Sequence, residues 1–302
     1  MAEILRTTVA APAPAAGRGG WYVRTTRAVR RAGGATNLET RLGAAIVTVL
    51  VLAALLAPWI SPAKPDALNI LDALKGPSLA HPFGTDYVGR DVLARTLYGA
   101  RVDFLVVFVV TYIGLTVGAL AGMIAGYYGG WLDALVGRAA DSAIAFPFII
   151  LVLVVISITG SGLKGIALGI VLVGWALYAR LARSEMLSLR EEQFMLATKS
   201  LGYTNRRAIF RHALPNVVRS SLVYSTVDIL VNLLVIASMS YLGFGPQQPH
   251  PDLGGLIADG QSYLLNAWWI TTLPGLFVVL FGFGVSLIGD GLSHGEVTVG
   301  LK

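Results

Sequence analysis

Cysteine is absent from the 302 residues, and only 13% of them carry a charge. Without a thiol there is no disulfide framework, no cysteine nucleophile and no thiolate metal site. A soluble domain is about one-quarter charged. Half that density cannot clothe a core in a water-facing shell. Histidine is scarce as well: four residues, at 81, 212, 250 and 294, lie far apart in the sequence and leave little for a metal centre. No G-x-x-x-x-G-K-[ST] occurs, and the nearest glycine cluster, Gly160 to Lys164, has the wrong spacing for a phosphate loop. H-E-x-x-H is absent. The 35 glycines follow no triplet, which excludes a collagen-like rod.

What remains is apolar. Hydrophobic residues make up 55% of the chain and the mean hydropathy is +0.69. Disordered chains are polar and charge-rich, so this composition describes an integral membrane protein. A spanning helix needs about 20 mostly apolar residues. Six runs qualify: 42–60, 104–125, 139–159, 166–181, 221–242 and 268–288. The first starts too far from Met1 for a cleavable signal and reads as a permanent span. Pro147, in the first turns of the third, is expected to kink it. The expected fold is all-α, a polytopic membrane protein with six transmembrane helices.

Basic residues set the expected direction. Of 23 lysines and arginines, 17 fall in the N-terminal tail, the 126–138 turn, the 180–219 loop and the C-terminus. Six fall in the alternate segments. That excess places both termini and the 180–219 loop in the cytoplasm. It also accounts for the net charge of +6 through membrane lipid, with no nucleic-acid partner. The organisation follows: 1–41 a cytoplasmic tail, 42–60 the first span, 61–103 an external loop with a short helix. Residues 104–292 form a five-helix core including the cytoplasmic loop 182–219, and 293–302 a cytoplasmic tail. Within the first tail, Ala10 to Gly20 is expected to be disordered. Trp21 to Arg31 is either a short helix on anionic lipid or a solvated basic stretch. In the external loop, Gly84 to Gly99 is expected to turn into a short helix pairing Asp91 with Arg95 at i,i+4.

Two features sit inside the spans. Gly114, Gly118, Gly122 and Gly126 recur every four residues, which puts them on one helix face where another backbone can approach. Asp228 is the one ionisable residue deep in a span, with Asn232 at i+4 on the same face. A pore-lining role and a structural role for this pair both stay open.

The cytoplasmic stretch from Arg180 to Arg219 stands apart. Its first half has helical spacing, Gly202 breaks the run, Asn205 is placed to cap a second helix, and Pro215 is expected to end it before the next span. A helix, a glycine hinge and a second helix, rich in arginine, look like a docking element. Leu196-Ala197-Thr198-x3-Gly202-x9-His212-x-Leu214-Pro215 is similar to the E-A-A-x3-G-x9-I-x-L-P signature of binding-protein-dependent ABC importer permeases. It departs from that signature at Leu196, Thr198 and His212. HPFGTDYVGRDVLARTLYGARVDF (81–104), GYYGGWLDALVGRAADSAIAFP (126–147), SYLGFG (240–245) and LIGDGL (287–292) resemble the second permease subunit of dipeptide, oligopeptide and nickel importers. The resemblance runs in order over residues 40–292.

That resemblance implies a type I ABC importer permease fold and a peptide importer working by alternating access. Its implied partners are a homologous second permease subunit, two cytoplasmic ABC ATPase subunits and an extracytoplasmic peptide-binding protein. ATP and magnesium would bind the ATPases, with no cofactor, metal or catalytic residue on this chain. The ATPase-coupling loop would be carried by Ala197, Thr198, Gly202, Leu214 and Pro215, with Lys199, Ser200, Asn205, Arg206 and Arg207 as neighbours by position. An importer for nickel or another small solute is the alternative within the class. A self-sufficient secondary transporter is the alternative outside it.

Overall fold

The computed structural model describes residues 38–299. The expectations for Ala10 to Gly20 and Trp21 to Arg31 lie outside the described residues. Among those described, the structure is helical, with one isolated β-bridge between Thr85 and Asp91. The first helix is α1 (Leu38–Leu55), followed by the short α2 (Ala57–Ile60) and a 3-10 turn, Ile70–Asp72. Then come α3 (Val92–Tyr128), α4 (Gly130–Ala145), α5 (Phe148–Thr159) and α6 (Leu163–Leu189). The loop helix α7 (Gln193–Ser200) and the single turn α8 (Asn205–Arg207) precede α9 (Leu214–Met239), α10 (Leu253–Gln261) and α11 (Trp269–Val299). Five helices are long and apolar enough to cross a membrane, or six if the bent pair α4 and α5 is one span.

Helix α3 is the axis of the bundle. It starts at Asp91, whose side chain accepts from the Ala94 N–H at 2.7 Å, and ends at Gly129 with φ +66°. Its glycine face lies on α6. A Cβ at Gly118 would stand 2.2 Å from the Trp175 carbonyl oxygen, and one at Gly122 2.0 Å from that of Ala179. Gly114 and Gly126 flank them against Gly174–Trp175 and Arg183–Met186. Any side chain at the two central positions would force the helices apart.

The main apolar core joins α1, α3, α5, α6, α9 and α11 and includes Phe104 stacked on Phe281 at 4.0 Å. A second cluster, rich in methionine and alanine, sits at the end that carries α7, hereafter the loop end. A third, around Val92 and Trp269, marks the far end.

Three local expectations are corrected. Pro147 breaks the third apolar run instead of kinking it: α4 and α5 meet at 90°. Phe146, before the proline, is pushed to extended backbone (φ −92°, ψ 145°), as the proline ring demands, so α4 ends there and α5 begins afresh. Pro215 does not end the loop's second helix. It sits at the start of α9, directly after a π-helical stretch, Ala208–Ala213, and the rod continues through it from Asn205 until Gly243, at φ +90°, interrupts it. Inside a continuous rod a proline removes one backbone hydrogen bond and crowds the preceding turn, and the wide π turn ahead of Pro215 gives its ring room. Finally, Asp91 does not pair with Arg95. Its carboxylate is taken by the Ala94 N–H and by His81 Nδ1 at 2.8 Å.

Arg95 turns instead to the far-end frame. Asp86 accepts from Arg90 Nε at 2.5 Å and lies 3.8 Å from Arg95 Nε. Both arginines donate to Gln248 Oε1, at 2.8 and 3.4 Å. Trp269 Nε1 donates to the Thr85 carbonyl at 3.1 Å. Helix α10 is tied to α3 by the Leu253 N–H, which donates to buried Asp103 at 2.9 Å. Asp252 caps α10, and its burial pushes the carboxyl above its usual range.

Candidate functional site

The loop end is built from α6, α7, α8 and the start of α9. Helix α7 has two buried anchors, Met195 (0% exposed) and Thr198 (5%), one turn apart on the same face. Met195 joins Ala119 and Met123 of α3, Met186 of α6, and Ala208, Ile209, Ala213 and Val217 of the rod that follows. Thr198 turns its hydroxyl back to the Met195 carbonyl at 2.7 Å, leaving no buried donor unpaired. The other face of α7 points outward: Phe194, Leu196, Ala197 and Ser200 are exposed. Lys199 is carried by the same helix.

Gly202 follows at φ +75°, the left-handed conformation that ends a helix and that glycine adopts without strain. The Tyr203 N–H donates back to the Thr198 carbonyl at 3.0 Å and closes the end of α7. The cap of α8 is Thr204, not Asn205 as the sequence spacing suggests. Thr204 is the extended residue, and its hydroxyl oxygen accepts from the Arg207 N–H at 3.4 Å. That leaves the Asn205 side chain free to look elsewhere: its Oδ1 accepts from the Tyr127 hydroxyl at 2.9 Å.

Arg206, Arg207 and Arg211, with Thr204 and Phe210, line an open cleft of about 560 Å³. Arg207 lies over the Tyr203 ring at 4.3 Å, and Tyr203 stacks on His212 at 5.9 Å. The stacking fixes a cation at the loop surface while leaving its donors available. Leu214 packs on the loop-end cluster, and Pro215 is exposed beside it. The structure therefore ties Thr198, Leu214 and, through Tyr127, the exposed Asn205 to the bundle and leaves Ala197, Ser200, Gly202, Arg206, Arg207 and Pro215 accessible, with Arg206 and Arg207 in the one cleft. Chemically that surface is cationic and apolar. It suits contact with an acidic protein face.

Asp228 and Asn232 sit apart from the loop, inside α9 and buried. Asp228 accepts from Asn232 Nδ2 and from the Tyr178 hydroxyl of α6, each at 3.0 Å. Asn232 also donates to Thr111 of α3 at 2.9 Å. One polar knot thus joins three helices. Tyr178 and Thr111 escape sequence reading, because polar residues on separate spans carry no signal of which neighbour they face. Among the described residues no group of three or more His, Cys, Asp or Glu could hold a metal ion.

A family profile described as the binding-protein-dependent transport system inner membrane component matches residues 118–295. Over 251 residues the chain is 38% identical to the dipeptide transport system permease protein of Alkalihalophilus pseudofirmus, covering 83% of each. A putative peptide transport system permease protein of Brucella suis is 34% identical, over 83% of this chain and 85% of that one. The probable D,D-dipeptide transport system permease protein of Escherichia coli is 33% identical, over 84% and 85%. Among solved structures, inward-facing MetNI methionine ABC transporter shares the fold with a TM-score of 0.50 at 18% identity, over 65% of this chain and 93% of that chain. With the profile spanning more than half of its length and these relatives most of it, the chain belongs to the family of binding-protein-dependent transport system inner membrane components.

Proposed function

We propose that the chain is the permease subunit of an ATP-driven importer that moves dipeptides or oligopeptides across the cytoplasmic membrane. The observation that carries the mechanism is α7, seated on the bundle by Met195 and Thr198 with its other face open. The relatives' names, all of peptide or dipeptide permeases, support the substrate class. In this reading an ABC ATPase docks on α7 and the arginine cleft, and a homologous second permease subunit completes the pathway and docks a second ATPase. A binding protein delivers peptide to the far end. ATP and magnesium act in the ATPases, and no residue of this chain makes or breaks a bond. ATPase closure presses on α7, and the rigid spans convert that push into opening at the far end; hydrolysis resets the inward-facing state.

The same reading makes the loop end cytoplasmic, with both termini, and makes 61–103 and 244–267 external. The domain limits given above, with coupling loop 182–219, stand as part of it. Two experiments test the proposal. Tag the chain, solubilise its native membranes gently and ask what co-purifies: an ATPase whose activity is stimulated by peptide-loaded binding protein is expected. Peptide uptake driven by an ion gradient with no ATPase attached would overturn it. For orientation, place single cysteines at Asn69 and Asn205, which is clean because the chain has none. Membrane-impermeant maleimide should label position 69 in intact cells; labelling at 205 alone would reverse the topology.

A further inference from the structure

The segment between α6 and α9 is fixed at both of its ends to the last turn of a third helix, α3. At one end, Arg190 closes α6, and its Nη1 donates to the Gly126 carbonyl at 3.3 Å. At the other end, Asn205 opens α8 and accepts from the Tyr127 hydroxyl at 2.9 Å. Gly126 and Tyr127 are adjacent residues. Between the two ties, Met195 of α7 is buried in the cluster that also holds Met123 and Ala119, one and two turns further down α3. Residues 190–205 therefore form a strap whose two feet both stand on the last turn of α3.

The local chemistry explains the ties. The last carbonyls of a helix have no partner within it, and the C-terminus favours a cation. The Ala125 carbonyl is met by the Gly129 N–H, and the Gly126 carbonyl by Arg190. The Tyr127 hydroxyl reaches a residue 78 positions away, a contact that α3 would not need for its own folding.

Helix α3 has 37 residues and is about 55 Å long at the usual rise. At the far end it holds α10 by two means: Asp103 accepts from the Leu253 N–H, and Gly99 is so close to Asp252 that a Cβ would lie 3.0 Å from its Cα. Helix α10 also rests on α9, where a Cβ at Gly254 would stand 2.2 Å from the Ala237 carbonyl oxygen. The loop is covalently continuous with α9 and strapped to α3, and these two helices meet again under α10.

Resting on the importer reading above, we infer that Tyr127 and Arg190 are positioning residues for transport. They make α3 move with the loop, so that displacement of α7 reaches α10 through α3 and α9 together. Without the two ties α7 still engages its ATPase, but α3 no longer follows. The functional signature is ATP hydrolysed without solute moved.

The test uses the whole complex, isolated through a tag on this chain and reconstituted in vesicles with its binding protein and a labelled dipeptide. Compare wild type, Tyr127→Phe, Arg190→Met, the double variant, and Arg190→Lys, which keeps a cation at the Gly126 carbonyl. The ratio of ATP hydrolysed to peptide taken up should rise by about fivefold or more in the double variant, less in each single variant, and return toward wild type in Arg190→Lys. A purely structural role would lower the yield of complex and leave that ratio unchanged. A second readout uses nitroxides at exposed Leu265, after α10, and exposed Ile158, on α5. An ATP-dependent change in their separation should be present in wild type and lost in the double variant. If that variant fails to assemble, Tyr127→Phe alone, which deletes one hydroxyl, carries the test. Wild-type coupling together with an unaltered ratio and distance change in the variants would overturn the strap and leave the importer reading standing. A wild-type chain that carries no ATPase would remove the importer reading, and the strap with it.

Discussion

At the far end of the molecule, buried Asp86 holds buried Arg90 at 2.5 Å, Arg90 and buried Arg95 both donate to Gln248 at the surface, and buried Asp103 grips the start of α10. At the loop end, α7 is held by one methionine, one threonine and two hydrogen bonds from its flanks, and most of its surface is exposed. The contrast is between charges locked out of water and a few weak ties next to water. Removing one member of a buried ion pair strands the other at high cost. An exposed hydrogen bond exchanges with solvent and costs little to break. One end is a frame, and the other is a surface that can be displaced without unfolding.

The sharpest way to break this comparison is at the frame. Asp86→Ala leaves Arg90 and Arg95 buried without their carboxylate and should destabilise the protein by about 3–5 kcal/mol. Membrane-inserted, detergent-stable protein should fall severely; a melting profile like wild type would show that the far end is not a frame. Next in size is the axis. Gly122→Val drives a side chain into the Ala179 carbonyl and should cost about 1–3 kcal/mol through strain, read as a lower midpoint of thermal unfolding in detergent. The same change at Gly137, where a Cβ meets nothing within 4 Å, is the control.

At the loop the expected balance reverses. Gly202→Asp places a Cβ at φ +75° in open space, so its effect on stability should be about 1–2 kcal/mol. Uptake by the reconstituted complex should nevertheless be lost while the complex stays assembled; normal uptake would show that this hinge does not couple. The smallest effect is expected at the polar knot. Asp228→Asn keeps an acceptor for Tyr178 and should assemble and transport nearly as wild type, whereas Asp228→Leu strands Tyr178 and Asn232 and should lower the amount of complex. Full assembly of Asp228→Asn with lost uptake of peptides bearing a free amino terminus would give that carboxylate a role in the passage.

The two ends also differ in how much of them the sequence reveals. Spans and glycine spacing follow from local periodicity, because a 20-residue apolar run and a four-residue repeat each fix a helix and a face. The loop is visible as a motif, a glycine between two helical stretches. Its ties are not. Tyr127 meets Asn205 across 78 residues, and Asn205 is released for that contact only because Thr204 takes the capping role. The far-end frame is hidden for a similar reason: Asp91 and Arg95 are spaced to pair, yet His81 and Asp86 outbid them through the fold of the preceding loop. Pro147 and Pro215 announce breaks, but whether a proline bends, ends or merely starts a helix depends on the turns around it.

The right angle at Pro147 has a consequence for how the chain spans the membrane. Helix α5 has 12 residues, about 18 Å of rise, against a hydrocarbon layer of about 30 Å. Alone it is too short to cross that layer, and only with part of α4 does the apolar run reach a spanning length. Its stable seat is on α6, where a Cβ at Gly169 would lie 2.9 Å from the Val152 Cα, and α4 is fastened to the same helix by Arg183 paired with Asp133 and Arg180 with Asp141 at 2.5 Å. Both arms of the elbow are therefore fastened to one helix, and α6 supplies the support that a 12-residue helix lacks by itself.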